Sequence, residues 1–159
     1  TARFVLPEPE WDFWPGTRND LSKLRLPADA KAAIQSTARH CLGPLRHQIE
    51  PIDSETEVVP GVTAIPAPGH TPGHLAVLIS SEGQNLLNLG DAAVHPLHLE
   101  QPGWQNGFDL AADCAVATRR SLVERAVAAE MHLMAFHFPF PSIGRVALAE
   151  GGWRWTPGW

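Results

Sequence analysis

Basic residues are scarce: twelve lysines and arginines stand against seventeen aspartates and glutamates in 159 residues, giving a formal charge of −5 and a pI near 5.8. Phosphate binding needs clustered Lys and Arg, so nucleic acid is excluded as a partner and a small molecule is expected instead. Long apolar runs are missing too. No stretch approaches the roughly 18 residues that a membrane span requires, and the opening TARFVLPEPEWDFW lacks the basic-then-apolar layout of a leader. The chain therefore reads as soluble, away from any membrane. Its compartment is unknown from sequence, with cytoplasm favoured over periplasm or secretion. Cysteine is rare as well. Cys41 and Cys114 each sit within an apolar helical pattern, which favours buried thiols over a disulfide and leaves the redox compartment open. There is no internal repeat and no low-complexity tract.

What the chain does have is 44% hydrophobic residues, enough for one globular domain or part of one. Ala2 to Leu6 reads as a strand with no polar lead-in, followed by a short helix or turn over PEPEWDFW, which has the look of entry in mid-domain. A connector, PGTRNDLSK, leads to Pro27–Cys41, where Ala30, Ala33, Ile34, Ala38 and Cys41 recur at helical spacing before a Gly43-Pro44 stop. From 46 to 99 the period changes to short β-prone runs (HQIEPI, TEVV, VTAIPA, HLAVLIS, NLLNLG, AAVHPLHL) divided by Gly, Pro, Ser and Asp. A second helix is predicted from about Asp109, as N-cap, to Ala129, with Ala112, Val116, Val123 and Val127 as its apolar stripe. Arg119 falls in that stripe and reads as a side chain whose stem covers apolar surface while its head reaches water. MHLMAF, RVALAE and GGWRWTPGW read as further strands, with Trp153 and Trp155 on one face. The fold class is α/β (α+β), a mixed β-sheet covered by helices.

The chemistry gathers at strand ends. His70 lies in PAPGHTPGH just before the strand LAVLI, Asp91 just after LLNLG, and His137 just after MHLMAF. In a layered α/β domain neighbouring strand ends converge in space while their sequence positions stay far apart. Neutral imidazole and carboxylate both ligate zinc-like ions, and a carboxylate can bridge a metal pair. Two metals about 3.5–4 Å apart can share a hydroxide and polarise a carbonyl or phosphoryl oxygen, so hydrolysis is the natural outcome. Each residue also has a plainer reading, since a single histidine in a turn is more often a hydrogen-bonded surface group than a ligand. His74, which begins the strand, is read as supporting the ligands from behind or as structural. His40, His47 and His132 stay unassigned. His95 and His98 could line the mouth of a pocket, although solvent exposure is the plainer reading for both. In FHFPFP, alternation sets Phe136, Phe138 and Phe140 opposite His137. Such a cluster is usually core, while Phe138 or Phe140 near a strand end could wall an apolar substrate pocket.

APGHTPGH, then NLGD, then FHFPFPSIGR resembles the second half of a metallo-β-lactamase superfamily hydrolase, most similar to the branch containing methyl parathion hydrolase and lactonase-like enzymes. TARFVLPEPEWDFW resembles the strand and helix that follow the family's first metal motif, and ATRRSLVERA the helix before its last ligand. The resemblance implies an αβ/βα sandwich with a dinuclear, usually zinc, site. His70 would ligate the first metal, Asp91 would bridge both and serve as the catalytic carboxylate, and His137 would ligate the second. The departures matter equally. The family's HxHxDH motif, with four further ligands, occurs nowhere in these residues, so residues 1–159 are expected to be the C-terminal portion of one such domain, exposing apolar surface and binding metal weakly or not at all by themselves. Lactonases of the family often carry a tyrosine soon after the bridging aspartate, whereas this chain has no tyrosine. The expected activity is metal-dependent hydrolysis of an ester, lactone or phosphotriester. The alternatives are a non-catalytic binding protein that kept the fold, or a site completed in trans by a partner chain, including a homo-oligomer formed through the exposed apolar surface.

Overall fold

The computed structural model describes residues 2–15 and 19–158. The expected connector over 15–23 falls partly on residues 16–18, outside the described residues. Strand β1 (Phe4–Pro7) runs into helix α1 (Glu8–Phe13), which Pro9 favours by supplying the fixed φ of a first helical turn. Helix α2 (Ala28–Leu42) follows and ends in a 3₁₀ turn over Gly43–Leu45. Then come β2 (Ile49–Ile52), β3 (Thr56–Val59), β4 (Val62–Pro66), β5 (Leu75–Ser81) and β6 (Gln84–Asn88). After a 3₁₀ turn at Gly90–Ala92 the chain forms α3 (Leu97–Glu100), α4 (Ala112–Ala128), β7 (His132–Met134), β8 (Ile143–Ala149) and β9 (Gly152–Pro157).

Strands β1 and β2 pair in parallel as a small separate sheet. The other seven form one mixed sheet in chain order, antiparallel throughout except where β7 joins β6 in parallel. A parallel neighbour needs a crossover, and α4 supplies it. Leu122, Val123 and Ala126 of α4 are buried in one core with Ile65, Ala76, Leu87, Leu133 and Trp153, so the helix covers one face of the sheet. On the other face Leu75 and Val77 are only half-buried and Ile79 is exposed, with Leu86 paired opposite Ile79. Among the described residues no helix is long and apolar enough to cross a membrane.

Several expectations need correction. AAVHPLHL is not a strand: Pro96 starts a short helix there, and His98 is buried on it rather than exposed. Helix α4 begins at Ala112 with Ala111 as N-cap, so Asp109 caps nothing. Its buried stripe is Ala115, Arg119, Leu122, Val123 and Ala126, which keeps Arg119 and Val123 of the predicted stripe and leaves Ala112, Val116 and Val127 half-buried at its flank. Arg119 is 1% exposed and does not reach water. Both cysteines are free and exposed, Cys41 because no side chain of α2 is buried and Cys114 because it faces outward near the start of α4. The aromatic alternation also fails, because β7 stops at Met134 and the residues beyond it turn. Phe138 is buried edge-on against Trp155, whereas Phe136 and Phe140 are exposed.

Candidate functional site

The loop between β4 and β5 is held at both ends by its own backbone, Ala67 N–H donating to His74 O at 2.7 Å and Gly69 N–H to Thr71 O at 2.9 Å. It also lies directly on its neighbours. A Cβ on Gly69, at φ +134°, would stand 2.3 Å from Ala115 N, and one on Gly73 would stand 2.6 Å from the backbone N of Glu10. No other residue fits this contact with α4 and α1. Leu110 and Ala111 donate back to the carbonyls of His70 and Gly69, so the segment before α4 is tied to the same loop.

His70, Asp91 and His137 meet at this edge. Asp91 lies between the two imidazoles, with His70 Nε2 at 3.5 Å from Oδ2 and His137 Nε2 at 3.1 Å from Oδ1. His70 Nδ1 contacts Asp109 Oδ1 at 3.0 Å, which directs Nε2 toward Asp91. The Asp109 side chain is 1% exposed, and its Oδ2 has no hydrogen-bond partner among the described residues. Burial pushes the His70 pKa down, but the hydrogen bond to Asp109 and the negative charges of Asp91, Asp109 and Glu10 outweigh it and the net shift is upward.

His74 touches the same aspartate from behind. Its Nε2 accepts the Asp91 backbone N–H at 3.0 Å while Nδ1 lies 3.2 Å from Ala67 O, which requires the neutral Nδ1–H tautomer. Burial first, and then the neighbouring His70, lower its pKa in agreement. Arg119 fixes the next residue: its Nε donates to Ala92 O at 2.7 Å and a terminal nitrogen to Trp104 O at 2.8 Å. His95 is exposed, with Nδ1 accepting Leu97 N–H, and His98 Nδ1 faces Val94 N–H at 3.4 Å, so both are occupied within their own turn.

A cleft of about 570 Å³ opens beside His70, Asp91 and His137. Its apolar lining is Trp14, Leu24, Leu26, Ile34, Val94, Phe108 and Leu110. Phe138, buried against Trp155, and the exposed Phe140 and His95 do not line it. The apolar wall comes instead from α1, α2 and the segment around 24–26, where Leu21, Leu24 and Leu110 form a second small core. The sequence offered no sign of this, since these residues carry no motif. Asp109 was missed as well, because a polar residue just before an apolar helix reads as a cap.

Imidazole nitrogen and carboxylate oxygen suit a divalent zinc-type ion, and the carboxylate behind His70 is the arrangement that orients a metal-ligating histidine. The number of donors falls short. Each imidazole addresses a different oxygen of Asp91, and among the described residues no group of three or more His, Cys, Asp or Glu side chains could hold a metal ion. The donors present among the described residues do not by themselves complete a metal centre.

No protein-family model matches the chain. A curated N-acyl homoserine lactonase of Bacillus sp is 40% identical over 74 residues, 45% of this chain and 28% of that protein. Among solved structures, AidC, a dizinc quorum-quenching lactonase in complex with a product, superposes with a TM-score of 0.85 at 22% identity, covering 97% of this chain and 54% of its own. The hydrolase AbOPH, described as in the beta lactamase superfamily, gives 0.79 at 23% identity, covering 98% of this chain and 55% of its own. The chain thus spans about half the length of the structures it matches and less than a third of the curated relative. Over that span, seven strands in one mixed sheet with α4 as the crossover make up an α/β sandwich of the metallo-β-lactamase type.

Proposed function

We propose that this chain contributes part of a dinuclear-metal hydrolase centre acting on a lactone, ester or phosphotriester with an apolar substituent, and that it is the C-terminal portion of one metallo-β-lactamase-fold domain whose remaining ligands lie outside these residues. The observation that carries this reading is the Asp91 carboxylate with one imidazole at each oxygen, open to an apolar cleft. The names of the relatives, a lactonase and a hydrolase, support the same class of substrate.

In this reading His70 and His137 would each donate Nε2 to one ion and Asp91 would be shared between them. Bound there, the ions would supply Lewis acidity toward the scissile carbonyl or phosphoryl group and a water acidic enough to lose its proton near neutrality. The chain's own residues do the rest. Asp109 holds the His70 ring, His74 and Arg119 fix the backbone on either side of the Asp91 carboxylate, and the cleft wall seats an uncharged group and excludes water from it.

The test is metal content and hydrolysis in the protein carrying its full coding sequence. Close to two zinc ions per chain are expected by elemental analysis, with turnover of an N-acyl homoserine lactone, an aryl ester or a phosphotriester. His70→Ala, Asp91→Asn and His137→Ala should each lower kcat/KM by at least about a hundredfold and reduce bound zinc. A zinc-loaded protein that turns over none of the three substrates, or variants that keep both zinc and activity, would sink the proposal.

A further inference from the structure

Glu10 joins the apolar wall of the cleft to the loop carrying His70. Its Oε1 accepts the Trp14 indole N–H at 2.5 Å, and its Oε2 accepts the Gly73 backbone N–H at 2.7 Å. Trp14 is half-buried and stands at a partition: one side lines the cleft beside Asp91, and the other lines a separate apolar groove of about 470 Å³ along Ile34, Ala38 and Leu42 of α2. Phe13 supports its ring edge-on at 4.9 Å. On the other side of the clip the fit is tight, since any Cβ at Gly73 would stand 2.6 Å from the Glu10 Cβ.

We propose that Glu10 is a positioning residue that sets substrate selectivity, clipping Trp14 to the His70 loop so that the cleft ends at the indole and takes apolar substituents of limited length. This rests on the hydrolase reading above for its substrate, but not for its geometry. Both partners of Glu10 are N–H donors, so each needs an acceptor oxygen. A carboxylate offers two, whereas an amide of the same shape would set its own N–H against one of them. With the clip released, the indole is free to swing and the cleft runs on into the groove over α2.

The informative variant is Glu10→Gln, which keeps size and backbone, with Glu10→Ala alongside, in the full-length protein. Hydrogen exchange followed by NMR reads the clip directly. Loss of one of the two half-buried acceptors should speed exchange of the Trp14 indole proton or the Gly73 amide proton by about tenfold or more. Steady-state kinetics on a series of lactones or esters of increasing alkyl length reads its use. The wild type should show KM rising beyond a limiting chain length, and E10Q should remove that limit, lowering KM for the longest members several-fold while kcat for the shortest stays within about twofold. Unchanged exchange at both protons in E10Q would overturn the clip. Faster exchange with unaltered chain-length dependence would overturn its role in selectivity. A wild type with no turnover of any member would sink the hydrolase reading and the selectivity role together, whereas the exchange data would still decide whether the clip exists.

Discussion

Burying the Asp109 carboxylate beside His70 costs desolvation, and the contact on one oxygen offsets this only in part, because the other has no partner among the described residues. A group held this way orients its neighbour's lone pair. Asp109→Asn keeps the shape and gives up the charge, so the His70 ring loses its enforced tautomer. In the full-length, metal-loaded protein the variant should bind zinc about 10–100-fold more weakly in a competition titration, with little change in its melting temperature. Zinc affinity equal to that of the wild type would remove Asp109 from the site. The meeting of His70 and His137 at Asp91 was legible in the sequence because each of the three is a polar residue at the end of an apolar strand. Asp109 was not, since its place depends on where α4 begins, and the helix starts two residues later than its capping pattern suggests.

Elements were legible where their period was uninterrupted. β4, β5 and β6 follow the apolar runs closely, and α2 and α4 follow helical spacing. What was not legible in α4 is the fate of Arg119, which falls in the predicted stripe but whose charged head is buried with it. Its guanidinium belongs to the loop after Asp91, where it donates to the carbonyls of Ala92 and Trp104. Arg119→Met would fill much of the same volume and leave both carbonyls without a donor. The expected loss is about 3 kcal/mol of unfolding free energy in a denaturant titration. A loss under about 1 kcal/mol would mean that water replaces the guanidinium and that the arginine is not what holds this loop.

At the scale of the whole molecule, the sheet has one covered face and one that is only half-covered, and large apolar side chains reach solvent at Ile79, Phe136, Phe140 and Leu148. Apolar surface was expected here. Its positions were not, because they follow from which strands neighbour one another, which a single sequence does not reveal. The cleft wall was equally hidden: Trp14, Leu24 and Ile34 come together only because α1, α2 and the residues around 24–26 pack beside the His70 loop.

The parallel joint between β6 and β7 also has a consequence in time. β3 to β6 are successive hairpins whose contacts are close in sequence, whereas β7 cannot dock until α4 has crossed the sheet and closed a long loop. Refolding should therefore begin in the hairpins. In stopped-flow experiments Ile65→Val should mainly slow folding and Leu133→Ala mainly speed unfolding, whereas equal effects of both on the folding limb would contradict this order. His70 and Asp91 then belong to the early part of the structure and His137 to the late part. Throughout most of its folding history the carboxylate waits with a single imidazole, and the second oxygen meets its partner only in the closing step.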